Sequence, residues 1–148
     1  MRLLLRLLVA AGLAADAYIH WIFAPDMAGV EGGSIGGDTL FRAQAVIAGV
    51  IALLVLAWPR RWTYAIAFLV AASALGAVIL YYYVDIGPLG PLPEMYEPVW
   101  YAEKTISAVG EGIAALAAAI GIIVGGPRKP SHREAPQPHQ PAAPWVRQ

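Results

Sequence analysis

Cysteine is absent from the 148-residue chain, and only 14% of its residues are charged. The absence of cysteine excludes disulfides, iron–sulfur clusters, thiolate metal sites and cysteine nucleophiles. Ordinary soluble domains carry about 25% charged residues, so the low charge content argues against that class. The formal net charge is zero, and this balance gives no reason to expect a nucleic-acid partner.

Apolar sequence is what the chain has in abundance: 59% of its residues are hydrophobic, and they concentrate in four long runs. Each run approaches or exceeds the roughly 20 residues that a helix needs to cross the hydrocarbon core of a bilayer. The third run contains no charged residue. We therefore predict an all-α integral membrane four-helix bundle, whose spans cover about residues 3–24, 40–58, 62–84 and 99–124.

Local signals indicate the span ends and the domain organisation. Asp38 is placed to cap a helix that begins near Thr39. Pro98 suits the first turn of the fourth helix, where a missing N–H costs nothing. The end of the chain is rich in proline, glutamine, serine and charge, and it has too little apolar sequence to offset the loss of chain entropy. We predict a transmembrane domain over residues 1–125 and a disordered cytoplasmic tail over residues 126–148.

The distribution of basic residues predicts the orientation of the spans. Neither loop 25–38 nor loop 85–98 contains lysine or arginine, and both contain acidic residues. Basic residues instead flank the opposite ends of the spans, at Arg2, Arg6, Arg60, Arg61, Arg128, Lys129 and Arg133. Because lysine and arginine accumulate on the cytoplasmic side, we expect both termini in the cytoplasm and a multi-pass location in a bacterial plasma membrane.

The first run also shares features with a secretory signal peptide, including the small-residue sequence Ala15-Asp16-Ala17. Its apolar stretch continues to Phe23, however, and cleavage would leave an odd number of spans. Cleavage would also disrupt the charge pattern. We therefore expect this segment to be retained as the first span.

Ionisable side chains inside the spans are the candidate functional residues, since such groups are costly in a bilayer and usually face the bundle interior. Asp16 and His20 are four residues apart and share one face of the first helix. The other candidates belong to the second and fourth spans: Arg42, Glu103, Lys104 and Glu111. If the first, second and fourth helices are neighbours, most of these residues meet in one cluster in the outer half of the bundle.

Charge complementarity suggests how the candidates pair. We predict that Asp16 pairs with Arg42 or Lys104, and that His20 pairs with Glu103. Such pairs often only hold a helix bundle in one arrangement. The alternative is a functional cluster that transfers protons or binds a ligand.

Glu111 is the candidate for proton exchange, because no cation is obvious at its own depth in the membrane. A metal site is not expected. Asp16, His20 and Glu103 offer mixed oxygen and nitrogen ligands, but their spacing matches no strong motif.

Haem held by two histidines of this chain is excluded, because His132 and His139 lie in the tail. The residues indicate no particular cofactor.

The short motifs of the chain, and the order in which they occur, resemble those of a known group of proteins. His20 ends the first helix, Leu40-Phe41 enters the second, Pro59-Arg60-Arg61 forms the inner turn, and Glu97-Pro98 precedes a glutamate-bearing fourth helix. In these features the chain looks like uncharacterised small four-helix membrane proteins of actinobacteria, and its overall plan is similar to that of DoxX-like proteins. The resemblance covers about residues 1–125. It implies an inner-membrane location and no established activity.

The sequence favours a non-enzymatic role. We interpret the chain as an accessory or scaffold subunit of a membrane complex, in contact with lipid and with either a membrane-protein partner or further copies of itself. The alternative is a proton-coupled carrier, or a redox-linked protein that binds a quinone or another small ligand at its outer polar cluster. A membrane enzyme ranks third, because no nucleophile, metal or phosphate motif is present.

Overall fold

The computed structural model describes residues 1–30 and 32–124. Within them the chain is all-helical, with helices α1 (Arg2–Phe23), α2 (Gly37–Ala57), α3 (Arg61–Tyr83) and α4 (Ala102–Val124). A short 3-10 helix, Ala24–Gly29, follows α1. All four long helices have the length and apolar composition to cross a membrane, so the predicted four-helix architecture is confirmed. The predicted disordered tail, residues 126–148, lies outside the described residues.

The helices form a ring in chain order. Helix α1 packs against both α2 and α4, and α3 closes the ring by packing against α4 and, less extensively, against α2. The described parts of two long connections, residues 24–30 with 32–36 and residues 84–101, lie at one end of the bundle, which we call the loop end. The opposite end holds the arginines at the starts of α1 and α3, and we call it the basic end.

Alanine supplies most of the buried hydrophobic positions inside the bundle, whereas many large aliphatic side chains lie on its exterior. Fully buried positions include Ala48, Ala67 and Ala114. Exposed positions include Leu53 and Leu116. This distribution suits helices in lipid, because association there depends on close packing of small residues rather than on removing apolar surface from water.

The closest backbone approach joins α1 and α4 at two glycines. A Cβ atom added to Gly12 would overlap the carbonyl oxygen of Gly110 and lie 2.9 Å from Cβ of Ala114. A Cβ added to Gly110 would lie 3.1 Å from the carbonyl oxygen of Gly12. Glycine at position 12 therefore permits a backbone contact that a side chain would push apart, and the fit at Gly110 is tight.

Arginines at the basic end bond the last carbonyl groups of neighbouring helices. The Arg2 guanidinium donates to the carbonyl of Val124, at 3.1 Å, and Arg6 donates to the carbonyl of Leu56. Four carbonyls at each helix C-terminus lack a partner within the helix, and that end carries partial negative charge. The basic residues therefore complement the C-termini of α2 and α4.

At the loop end, the two long connections pack on each other and form a roof over the helices. The backbone N–H of Ile35 donates to the carbonyl of Pro91, at 3.0 Å. Leu89 and Leu92 close a tight turn, and the N–H of Glu97 donates to the carbonyl of Tyr81, at 3.0 Å. These bonds hold residues 85–97 across the end of the bundle.

Two helix starts differ from those predicted. Helix α2 begins at Gly37 with Gly36 as its N-cap, so Asp38 lies in the first turn instead of capping the helix. Helix α4 begins at Ala102, and Pro98 precedes it instead of opening it. The later start of α4 follows from competing bonds, because the Lys104 ammonium takes the carbonyls of residues 97 and 99.

The glycine contact predicts a large effect from one methyl group. Gly12→Ala should lower the free energy of unfolding by about 1–3 kcal/mol, because its methyl overlaps the backbone of α4. Gly76→Ala in α3 is the matched control, since a Cβ there meets no atom within 4 Å. Denaturant titration in detergent micelles measures both. Equal stability of the two variants would contradict the close α1–α4 contact.

Candidate functional site

Asp16 occupies the centre of the bundle's polar interior. Its position on α1, between α2 and α4, leaves it fully buried. Its carboxylate accepts a hydrogen bond from Gln44 Nε2 at 2.8 Å and lies 3.4 Å from Ser107 Oγ. One carboxylate therefore joins three helices.

His20, one turn along α1, completes the bonding of this carboxylate. Its Nδ1 lies 2.6 Å from Asp16 Oδ1 and 3.0 Å from the main-chain oxygen of the same residue. Both oxygens are acceptors, so Nδ1 carries a hydrogen and Nε2 is left for another partner. The ring packs at 4.8 Å between centroids against Phe41 of α2.

Glu111 on α4 is the second fully buried carboxylate. Its Oε1 accepts a hydrogen bond from Ser107 Oγ at 2.9 Å, whereas its Oε2 has no hydrogen-bond partner among the described residues. A buried oxygen without a partner costs about 1–3 kcal/mol. We call Asp16, His20, Gln44, Ser107 and Glu111 the acid cluster.

The two predicted cations turn away from the acid cluster. Lys104 Nζ lies 3.1 Å from Glu97 Oε2 and donates to the Glu97 carbonyl at 2.8 Å. Arg42 lies 3.6 Å from Asp38 of its own helix. The predicted pairing of Asp16 with either cation is therefore wrong, because each cation reaches a carboxylate nearer the loop end.

The predicted pair of His20 with Glu103 is also wrong. His20 bonds Asp16 instead, and Glu103 makes no side-chain hydrogen bond to any described residue. The two glutamates of α4 are eight residues apart, and the structure brings Glu111, not Glu103, to the histidine. Three ligand-capable atoms, one each from Asp16, His20 and Glu111, lie within 4.8 Å of one another.

Tyr101, just before α4, extends the polar network to the roof. Its hydroxyl donates to Glu97 Oε2 at 3.3 Å, and the Lys104 ammonium lies 5.3 Å from the centre of its ring. Burial, reinforced by the Glu97 carboxylate, raises the pKa of Tyr101 to about 12. The hydroxyl therefore remains a hydrogen-bond donor throughout the physiological pH range.

A cavity of about 440 Å³ lies between the acid cluster and the roof. Its walls are mainly apolar and include Ala74 and Ala77 of α3. His20, Gln44 and Ser107 of the acid cluster also line it. The roof contributes several side chains, among them Leu92, Met95 and Glu97. The cavity thus joins an apolar chamber to a polar wall that belongs to the acid cluster.

Two residues of the acid cluster, Gln44 and Ser107, were not among the site residues predicted from the sequence. Gln44 is the only strongly polar residue in the apolar run from residue 43 to 58, and that isolation is the signal that marks it. Ser107 lies one helical turn before Glu111. Its role depends on the rotation of α4, which no local pattern reports.

The arrangement offers two kinds of chemistry. The free Nε2 of His20 and the unpartnered Oε2 of Glu111 can hold a proton or a cation. The polar wall of the cavity can bond the head group of a ligand whose apolar body fills the chamber.

Removal of the central carboxylate should destabilise the bundle. Asp16→Ala leaves His20 and Gln44 without their buried partner, so we expect the free energy of unfolding to fall by about 1–3 kcal/mol. Glu103→Ala removes a carboxylate with no bonded partner among the described residues, and its effect should stay within about 0.5 kcal/mol. Denaturant titration of both variants checks this, and a larger effect at Glu103 would contradict the geometry.

Comparison of the chain with models of protein families, with curated proteins and with solved structures finds no match in any of the three. Two features of the described residues bear on function: a buried acid cluster that links three helices and a cavity that opens onto it.

Proposed function

We propose that the chain is a small integral membrane protein that binds a small amphipathic molecule, such as a quinone, in the cavity at its loop end. The observation that carries the proposal is the cavity of about 440 Å³ with apolar walls and one polar side. Ligand sites commonly have volumes of about 300–1,000 Å³ and are mainly apolar, with a few polar groups that orient the ligand.

The polar side of the cavity suits a head group that both accepts and donates hydrogen bonds. His20 offers its Nε2, since its Nδ1 is engaged with Asp16. Gln44 offers its side-chain oxygen, since its nitrogen donates to the same carboxylate. A carbonyl or hydroxyl group of a quinone or quinol can bond to these atoms, depending on the proton positions.

Ionisable groups buried among membrane helices usually mark functional sites. Here the acid cluster lies directly beside the cavity. A redox-linked or proton-coupled protein, the alternative that the sequence left open, requires proton transfer to its bound ligand. The acid cluster contains groups that can exchange such protons. The accessory or scaffold role stays a prediction, and no contact among the described residues favours it over ligand binding.

Filling the cavity should weaken ligand binding without unfolding the protein. Ala77→Phe places an aromatic ring in the chamber, and we expect the affinity for a short-chain quinone to fall at least about tenfold, equivalent to 1.4 kcal/mol. Ile79→Phe is the matched control, because Ile79 lies on the exposed side of the same helix and does not line the cavity. Equilibrium binding in detergent or nanodiscs measures both affinities.

Mass spectrometry of small molecules that co-purify with the protein provides an independent readout. Wild type and Ile79→Phe should retain the same molecule, and Ala77→Phe should lose it. Equal retention by all three proteins, together with unchanged quinone affinity, would overturn the proposal.

We also propose that the basic end faces the cytoplasm of a bacterial cell and that the loop end faces outward. The arginines of the basic end support this orientation, because basic residues accumulate on the cytoplasmic side. Helix α1 begins at the basic end, which places the amino terminus there.

Single-cysteine labelling tests the orientation, and the chain contains no native cysteine to interfere. A membrane-impermeant maleimide should label Ser34→Cys, in the first loop, on intact cells. Ser131→Cys, in the tail, should be labelled only after lysis. The reverse pattern would invert the proposed topology.

A further inference from the structure

We infer that Asp16, His20 and Glu111 form a binding site for one divalent metal ion at the side of the cavity. Each residue places one ligand-capable atom within 4.8 Å of the other two. Zn²⁺ binds protein nitrogen and oxygen ligands at about 2.0–2.2 Å. In the proposed site the ion takes the place of the hydrogen between His20 Nδ1 and Asp16 Oδ1, and the neutral imidazole then carries its hydrogen on Nε2.

The unsatisfied oxygen of Glu111 is an independent reason to place a ligand here. Glu111 is fully buried, and its Oε2 has no hydrogen-bond partner among the described residues. Buried polar atoms without partners are rare in folded proteins, and an ion is one of the groups that satisfies them. A metal beside Asp16 and His20 gives this oxygen the partner it lacks.

The charges of the buried groups also favour a metal ion at this site. Two fully buried carboxylates, Asp16 and Glu111, lie together in the bundle. The cations of neighbouring segments are engaged elsewhere, since Lys104 bonds Glu97 and Arg42 lies beside Asp38. Burying charge without compensation is very costly. One divalent ion neutralises both carboxylates while the imidazole stays neutral.

The chemical nature of the three ligands limits which metal ions can bind. One imidazole and two carboxylates suit borderline and harder divalent ions such as Mn²⁺, Fe²⁺ and Zn²⁺. The chain has no cysteine, so it offers no thiolate to select a softer ion. Three protein ligands leave coordination positions for water or substrate, as in catalytic metal sites.

Gln44 and Ser107 act as positioning residues for this site. Gln44 Nε2 bonds Asp16 Oδ2, and Ser107 Oγ bonds Glu111 Oε1. Groups that bond a metal's ligands fix their orientation, and their loss typically weakens metal affinity by about 10–100-fold. Both residues also line the cavity, as does His20, so the proposed metal site adjoins the polar wall of the cavity.

Direct metal analysis of the full-length chain tests the site. The background is an untagged protein with His132→Ala and His139→Ala, which removes the two tail histidines as competing ligands. After treatment with chelator and dialysis against Mn²⁺ or Zn²⁺, elemental mass spectrometry should find one ion per chain. This readout needs no cavity ligand, so the metal site and the ligand cavity can fail separately.

Variants assign the ion to the acid cluster. Asp16→Asn and Glu111→Gln should each lose the ion, and Glu103→Gln should keep it as the matched control on α4. Gln44→Ala should bind about 10–100-fold more weakly, and it decides the question if a ligand variant fails to fold. Absence of a stoichiometric ion in the background protein would overturn the inference. Unchanged binding in folded Asp16→Asn and Glu111→Gln, or in Gln44→Ala if those do not fold, would overturn it equally.

Discussion

The close approach of α1 and α4 at Gly12 and Gly110 is the constraint on which the polar interior depends. Asp16 lies one turn beyond Gly12 on α1, and Glu111 directly follows Gly110 on α4. With the two backbones this close at the glycines, short polar side chains reach directly from one helix toward the other, as Ser107 Oγ does toward Asp16 Oδ1 at 3.4 Å. A larger residue at Gly12 would push the two helices apart and weaken this contact.

The bundle separates its polar groups by depth. Carboxylates in the interior are bonded to polar side chains of neighbouring helices, whereas the cations lie toward the two ends. This follows from physical cost, because long basic side chains reach the interface readily and short acidic ones do not. Around the acid cluster the interior positions are mainly alanine and glycine, whereas many large aliphatic side chains lie on the exterior of the bundle.

The sequence predicted the features of this structure that local patterns encode, and it missed several that depend on where individual side chains end. Apolar runs of sufficient length predicted four helices, and the spacing of Asp16 and His20 predicted their shared face. The pairings failed because they were assigned by charge complementarity, and charge does not report where a flexible side chain such as Lys104 ends. The predicted start of α4 was wrong because hydrogen bonds from Lys104 to the preceding segment compete with those of the helix. No local sequence pattern reveals these bonds.

The contact between α2 and α3 is the least extensive of the four helix contacts in the ring. This has a consequence for how a ligand reaches the cavity. The cavity wall includes Ser73 and Leu80, both on the exposed surface of α3, while hydrogen bonds tie the roof above it. For the ligand and the membrane location proposed above, entry beside α3 leads sideways out of the bilayer. The concentration that would govern binding is then the ligand's mole fraction among the lipids, so strongly hydrophobic compounds with negligible aqueous solubility could still saturate the protein.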